Sequence, residues 1–85
     1  MNARIKKRIH KIIDLCFDAK DFGHDCFFDY SPHVQGFVFQ SYKNGYEVGV
    51  KKNRDFDSRI YVDKEDAETR LDRIIDYLEN LIDES

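Results

Sequence analysis

The hydrophobic pattern of the chain changes its period twice, and this change constrains the fold more than any other feature. Apolar residues from Ile5 to Phe17 recur at steps of three and four, which predicts an amphipathic helix over roughly residues 3–20. Residues 25–62 are rich in aromatic and β-branched side chains, which are typical of strands. The helical period returns from about residue 64 to residue 83, with Asp63 as a suitable N-cap. A chain of 85 residues with this pattern predicts one domain, spanning residues 1–85.

The middle of the chain predicts an antiparallel meander. Asn44-Gly45 is a strong signal for a two-residue hairpin turn, because both residues accept a positive φ. Counting outward from this turn pairs Phe39 with Val50 and places Phe37, Phe39 and Ser41 on the core face. The predicted fold is α+β: helix, four-stranded antiparallel β-meander, helix, with both helices on one face of the sheet. Four strands with a reversal at each connection make the helices antiparallel. The predicted strands are Cys26–Tyr30, Val34–Tyr42, Tyr46–Lys52 and Ser58–Val62.

The second predicted helix carries a row of acids on one side. Steps of three and four residues stack these carboxylates beside one another, and each neighbouring pair opposes the helix by roughly 0.2–0.5 kcal/mol. The row therefore needs either cations from the same molecule or a partner. With antiparallel helices, the basic start of helix one lies near the acidic end of helix two. Arg4, Lys7, Arg8 and Lys11 would then neutralise Glu79, Asp83 and Glu84 and leave Glu68 and Asp72 uncovered. The row consists of Glu68, Asp72, Asp76, Glu79 and Asp83.

Three binding surfaces follow from this pattern. Acids repeated every turn, about 5.4 Å apart, roughly match the phosphates of a nucleic-acid strand, so the row predicts a protein partner with a basic surface or nucleic-acid-binding groove. The alternative is a homodimer or other protein contact through the open face of the sheet. A weaker alternative is nucleic-acid binding by the basic start of helix one, against which the net charge of −3 argues. The open face would carry Phe27, Val38, Tyr42 and Tyr61.

The sequence contains no recognisable catalytic or cofactor motif, so we expect neither enzymatic activity nor a cofactor. Cys16, His24, Cys26 and His33 are residue types that bind metal ions, but their spacing matches no structural zinc pattern. Both cysteines are better interpreted as reduced core thiols. The pattern shows no signal peptide and no membrane span, which predicts a cytoplasmic protein.

One stretch of the sequence carries a resemblance. Phe28-Asp29-Tyr30-Ser31-Pro32-His33-Val34, followed by Tyr42-Lys43-Asn44-Gly45-Tyr46, resembles small proteins of phages and mobile elements. The wider pattern of an acidic meander with helices is similar to phage-encoded inhibitors of bacterial defence, including anti-CRISPR and anti-restriction proteins. The resemblance implies a host-cytoplasmic inhibitor whose acidic side chains occupy a basic nucleic-acid groove. The modest net charge and the basic amino-terminal segment depart from the strongest mimics of this kind.

Overall fold

A computed structural model describes residues 1–46 and 54–84. The chain forms an α+β fold, as predicted, in which two helices accompany a three-stranded antiparallel sheet of order β1-β2-β3. A short 3₁₀ turn, Pro32–Val34, connects the first two strands. The helices are α1 (Ala3–Lys20) and α2 (Ala67–Asp83), and the strands are β1 (Asp25–Ser31), β2 (Gly36–Tyr42) and β3 (Phe56–Tyr61).

Helix α1 begins and ends where the sequence predicts. The Asn2 side chain caps its start by accepting a hydrogen bond from the Ile5 amide at 2.9 Å. Gly23, with φ +84°, follows its end in the left-handed region that favours glycine. The expectation that Phe17 faces the core is wrong, because its side chain is 67 % exposed. The buried stripe instead takes in Leu15 and Ala19.

The predicted number of strands is wrong among the described residues. Phe39 of β2 pairs with Phe28 on one side and with Ser58 on the other. Both edges of β2 are therefore occupied at Phe39, and Val50, its predicted partner, lies outside the described residues. The predicted third strand, Tyr46–Lys52, lies outside the described residues except for Tyr46, which belongs to no strand.

The Asn44-Gly45 turn is present, but Tyr46, which follows it, belongs to no strand, and the strand that returns along β2 begins at Phe56. The Gly45 amide donates to the Tyr42 carbonyl at 3.1 Å, and Gly45 has φ +88°. The Tyr46 amide then donates to the Asp25 carboxylate at 2.8 Å, which directs the chain toward the start of β1. A long-range contact therefore fixes the position of Tyr46 after the turn.

With three strands among the described residues, the two helices run parallel rather than antiparallel. At one end, Arg8 near the start of α1 contacts Glu68 in the first turn of α2. At the other end, the ring of His24, just after α1, is hydrogen-bonded to the Lys43 carbonyl. The Lys43 ammonium lies 3.9 Å from the carboxylate of Glu84, just after α2. The predicted antiparallel arrangement is therefore wrong.

Both helices cover the same face of the sheet, as predicted. Phe37, Phe39 and Ser41 of β2 all lie on this face and are at most 1 % exposed. The Ser41 hydroxyl is satisfied by the Tyr77 hydroxyl at 3.0 Å. No described helix covers the opposite face, which we call the open face.

Candidate functional site

The row of acids on α2 lies opposite the buried stripe of the helix, and one end of the row is neutralised by α1. The Arg8 guanidinium places Nη2 2.9 Å from the Glu68 carboxylate and Nε 2.8 Å from the Asp72 carboxylate. Arg4 lies 4.0 Å from Glu68. The cations of α1 therefore neutralise the opposite end of the row from the one predicted. We call the five acids Glu68, Asp72, Asp76, Glu79 and Asp83 the acidic face.

The other end of the acidic face stays exposed. Among residues 1–46 and 54–84, no cation forms an ion pair with Asp76, Glu79 or Asp83. These three residues are exposed on α2, and we call them the distal acids. The first and the last are seven positions apart, so they span about 10 Å along the helix.

The four predicted open-face residues share that face but do not form one continuous apolar patch. At one end, the buried Tyr42 ring packs edge-on against Phe27 and Tyr46, with ring centroids 5.8 and 5.2 Å apart. Tyr61 lies at the opposite end, because it pairs with Gly36. The half-buried Val38 stands between them. Its neighbours on the flanking strands are the charged residues Asp29 and Arg59.

The basic start of α1 is less available than the sequence suggests. The Arg8 side chain is only 25 % exposed, because it lies against α2. The exposed cations that remain are Arg4, Lys6, Lys7 and Lys11.

Cys16 of α1 and Cys26 of β1 are free thiols that lie against each other. The hydrogen bond with Cys26, assisted by burial, raises the pKa of Cys16 far above its ordinary value. The same hydrogen bond, together with the hydrogen bond between Cys26 and Ser41, lowers the pKa of Cys26. Their environment makes Cys26 the more acidic thiol of the pair.

Two negative findings apply to the described part of the chain. No group of three or more His, Cys, Asp and Glu residues there could hold a metal ion. None of its helices is both long enough and apolar enough to span a membrane.

Sequence reasoning missed the pairing of Arg8, although a signal for it is present. Arg4 and Arg8 are four residues apart, as are Glu68 and Asp72, so parallel helices bring the two pairs level with each other. Recognising that signal requires the correct strand number, which decides whether the helices run parallel or antiparallel.

Comparisons with known proteins found no relative of this chain. No protein-family profile, curated protein sequence or solved structure matches the chain.

Proposed function

We propose that this chain is a non-enzymatic binding protein that inhibits or regulates a partner with a basic surface or nucleic-acid-binding groove. The observation that supports the proposal most directly is the exposure of the distal acids Asp76, Glu79 and Asp83, with which no described cation forms an ion pair. The pairing of Glu68 and Asp72 with Arg8 restricts the proposed contact to the distal end of the acidic face.

Electrostatics explains how such a surface would act. Neighbouring distal acids repel each other by roughly 0.2–0.5 kcal/mol per pair, and a cationic partner relieves that repulsion. Exposed charges of one sign also steer an oppositely charged partner and accelerate its association. The rigid helix holds the carboxylates at fixed spacing, because its first turns are anchored to α1 by Arg8.

The proposed setting follows the sequence resemblance. A phage-encoded inhibitor acting in the host cytoplasm would compete with nucleic acid for a restriction or CRISPR nuclease. The distal acids would stand in for backbone phosphates along about 10 Å of the groove, which is roughly two turns of helix.

Competition with DNA on purified restriction and CRISPR nucleases tests this proposal. We expect the wild-type chain to displace duplex DNA from at least one such nuclease, with an affinity that falls as salt concentration rises. The triple variant Asp76→Lys, Glu79→Lys, Asp83→Lys should lose displacement.

A matched control separates a defined surface from net charge. Reversing the exposed acids Asp14, Asp18 and Glu65 gives the same net charge on other parts of the surface, and this variant should still displace DNA. Equal activity of both triple variants, or an affinity that does not respond to salt, would contradict the proposal.

Two alternatives remain as proposals. A homodimer through the open face would bury Phe27 and Tyr61, which are 44 % and 42 % exposed, around Val38 and the largely buried Tyr42. Direct nucleic-acid binding by α1 is weaker, because Arg8 is already paired with Glu68 and Asp72.

A further inference from the structure

The outer side of α1, where the helix borders β1, carries an apolar groove and a protruding ring. The groove has a volume of about 530 Å³. The protruding ring is Phe17, one turn beyond Ile13 on the same helix. We propose that this surface binds a second copy of the chain about a two-fold axis, with Phe17 of each copy in the groove of the other. The groove is lined by Met1, Lys6, Ile9, His10, Ile13 and Tyr30.

Strand β1 supplies the first reason to expect a second copy. It is an edge strand, and among residues 1–46 and 54–84 only β2 pairs with it. The unpaired amides and carbonyls of a strand edge bind readily to another strand. Antiparallel pairing centred on Phe28 would place Phe28 against its own copy and Cys26 against Tyr30 of the second copy. Asp29 would face Phe27 of the second copy, so no like charges would oppose each other.

The same axis passes close to the middle of α1. Cys26 lies beside Cys16, and Tyr30 lies beside Ile9 and Ile13. Phe28 is midway between Cys26 and Tyr30, and it is therefore level with Ile13. One axis can thus relate both β1 and α1 to their copies.

This alignment brings the protruding ring to the groove. Two copies of α1 would run antiparallel, because β1 and its copy do. Residues at equal distances before and after Ile13 then meet across the axis. Phe17 follows Ile13 by four residues and Ile9 precedes it by four, so Phe17 of one copy meets the groove residue Ile9 of the other.

Charge complementarity favours a second copy over an unrelated partner. The first turns of α1 are basic and its end carries Asp18 and Asp21, the reverse of what the helix dipole favours. An antiparallel copy corrects this, because Lys6 then lies opposite Lys20 and Asp21 of the second copy, and Lys20 is already paired with its own Asp25 at 2.8 Å. In the part of the chain that the structure describes, neither Lys6 nor Asp21 has an ion-pair partner.

Sedimentation velocity of the full chain at micromolar concentration tests the proposal. We expect a dimer, and we expect Phe17→Ser to raise its dissociation constant at least about tenfold, because a buried aromatic anchor is lost twice. Phe17 is 67 % exposed in the single chain, so this variant should fold normally. Lys6→Glu and Asp21→Lys should each weaken the dimer, and the double variant should restore it.

The control is Tyr61→Ser on the open face, where the side chain is 42 % exposed and lies away from the proposed interface. It should leave the dimer intact. A wild-type chain that stays monomeric at every concentration overturns the proposal. A dimer that survives Phe17→Ser but is lost in Tyr61→Ser also overturns it, as does a double charge variant weaker than either single variant.

Discussion

At the level of single residues, Arg8 aligns the two helices. Its guanidinium forms ion pairs with two carboxylates one turn apart on α2 and also donates a hydrogen bond to the Arg4 carbonyl at 3.1 Å. This arrangement fixes the axial position of α2 and removes the repulsion between Glu68 and Asp72. One side chain therefore stabilises both the helix pair and the start of the acidic face.

Replacing Arg8 should destabilise the fold measurably. We expect Arg8→Ala to lower the free energy of unfolding by about 1 kcal/mol, a value reduced for solvent screening because the partners are partly exposed. The loss should shrink at high salt. Urea denaturation at two salt concentrations measures it, with the exposed Lys7→Ala as the control. An equal effect of both variants would show that the ion pairs contribute nothing specific.

The two cysteines should differ in reactivity. The hydrogen bond that lowers the pKa of Cys26 raises that of Cys16, and Cys16 is also the more buried residue. Because the thiolate is the nucleophile, we expect iodoacetamide to modify Cys26 first. Mass spectrometry of peptides after brief alkylation measures the order of modification, and Cys26→Ser should remove the fast phase. Faster modification of Cys16 would contradict this assignment.

At the level of elements, sequence periodicity correctly predicted the features that depend on nearby residues, namely the bounds of α1 and the inward-facing residues of β2. The bounds of α1 follow from its apolar spacing, its N-terminal cap and Gly23, all of which are local. The inward position of Phe37, Phe39 and Ser41 follows from strict alternation along β2. Phe17 follows Ile13 by four residues, so its spacing predicts a position on the apolar side of α1. The prediction was wrong because the buried stripe of α1 is narrower than the row of apolar residues.

Strand β2 should be the element most sensitive to core substitutions. It is the central strand, and the Phe39 ring is fully buried against Phe56 and Tyr77. We expect Phe39→Ala to cost about 3–5 kcal/mol, through lost burial and the cavity left behind. Phe27→Ala on β1 is the control and should cost much less, because its ring is 44 % exposed. Urea midpoints of the two variants measure the difference, and equal shifts would contradict the core assignment.

At the level of the whole molecule, one wrongly predicted connection was enough to make the predicted direction of the two helices wrong. Asn44-Gly45 correctly predicts a turn, but the contact between the Tyr46 amide and Asp25 joins residues far apart in sequence. Nothing in local propensity encodes that contact. The resulting strand number sets the helix direction, and the direction decides which acids Arg8 reaches. The exposed end of the acidic face could therefore not be identified from spacing alone.

The distal acids lie on α2, whereas the groove lies on the side of α1 that borders β1. The two proposed interfaces therefore do not compete. Arg8 faces α2, whereas the groove lies between α1 and β1. A dimer formed through the groove would leave the distal acids of both copies exposed. Two acidic faces on one particle would raise its apparent affinity for a partner with two basic sites, because the second contact becomes intramolecular.

The pH dependence of the free energy of unfolding tests whether the Tyr77 hydroxyl is buried. Burial raises the pKa of Tyr77, so the unfolded chain ionises this group first. Its contribution to stability is therefore complete below the ordinary tyrosine pKa of 10.0 and is lost as the pH rises above it. The raised pKa of Cys16 acts in the same direction from its ordinary value of 9.0, while the lowered pKa of Cys26 partly opposes it.

Tyr77→Phe isolates the tyrosine contribution. At neutral pH the variant should be less stable by about 1 kcal/mol, because the hydrogen bond to the buried Ser41 is lost. Above the ordinary tyrosine pKa the wild type should lose stability faster, so the two curves of unfolding free energy against pH should converge. Urea denaturation across this range measures both curves, with Tyr30→Phe as a control for removing a half-exposed hydroxyl. Parallel curves would show that the Tyr77 hydroxyl is as well solvated in the folded chain as in the unfolded one.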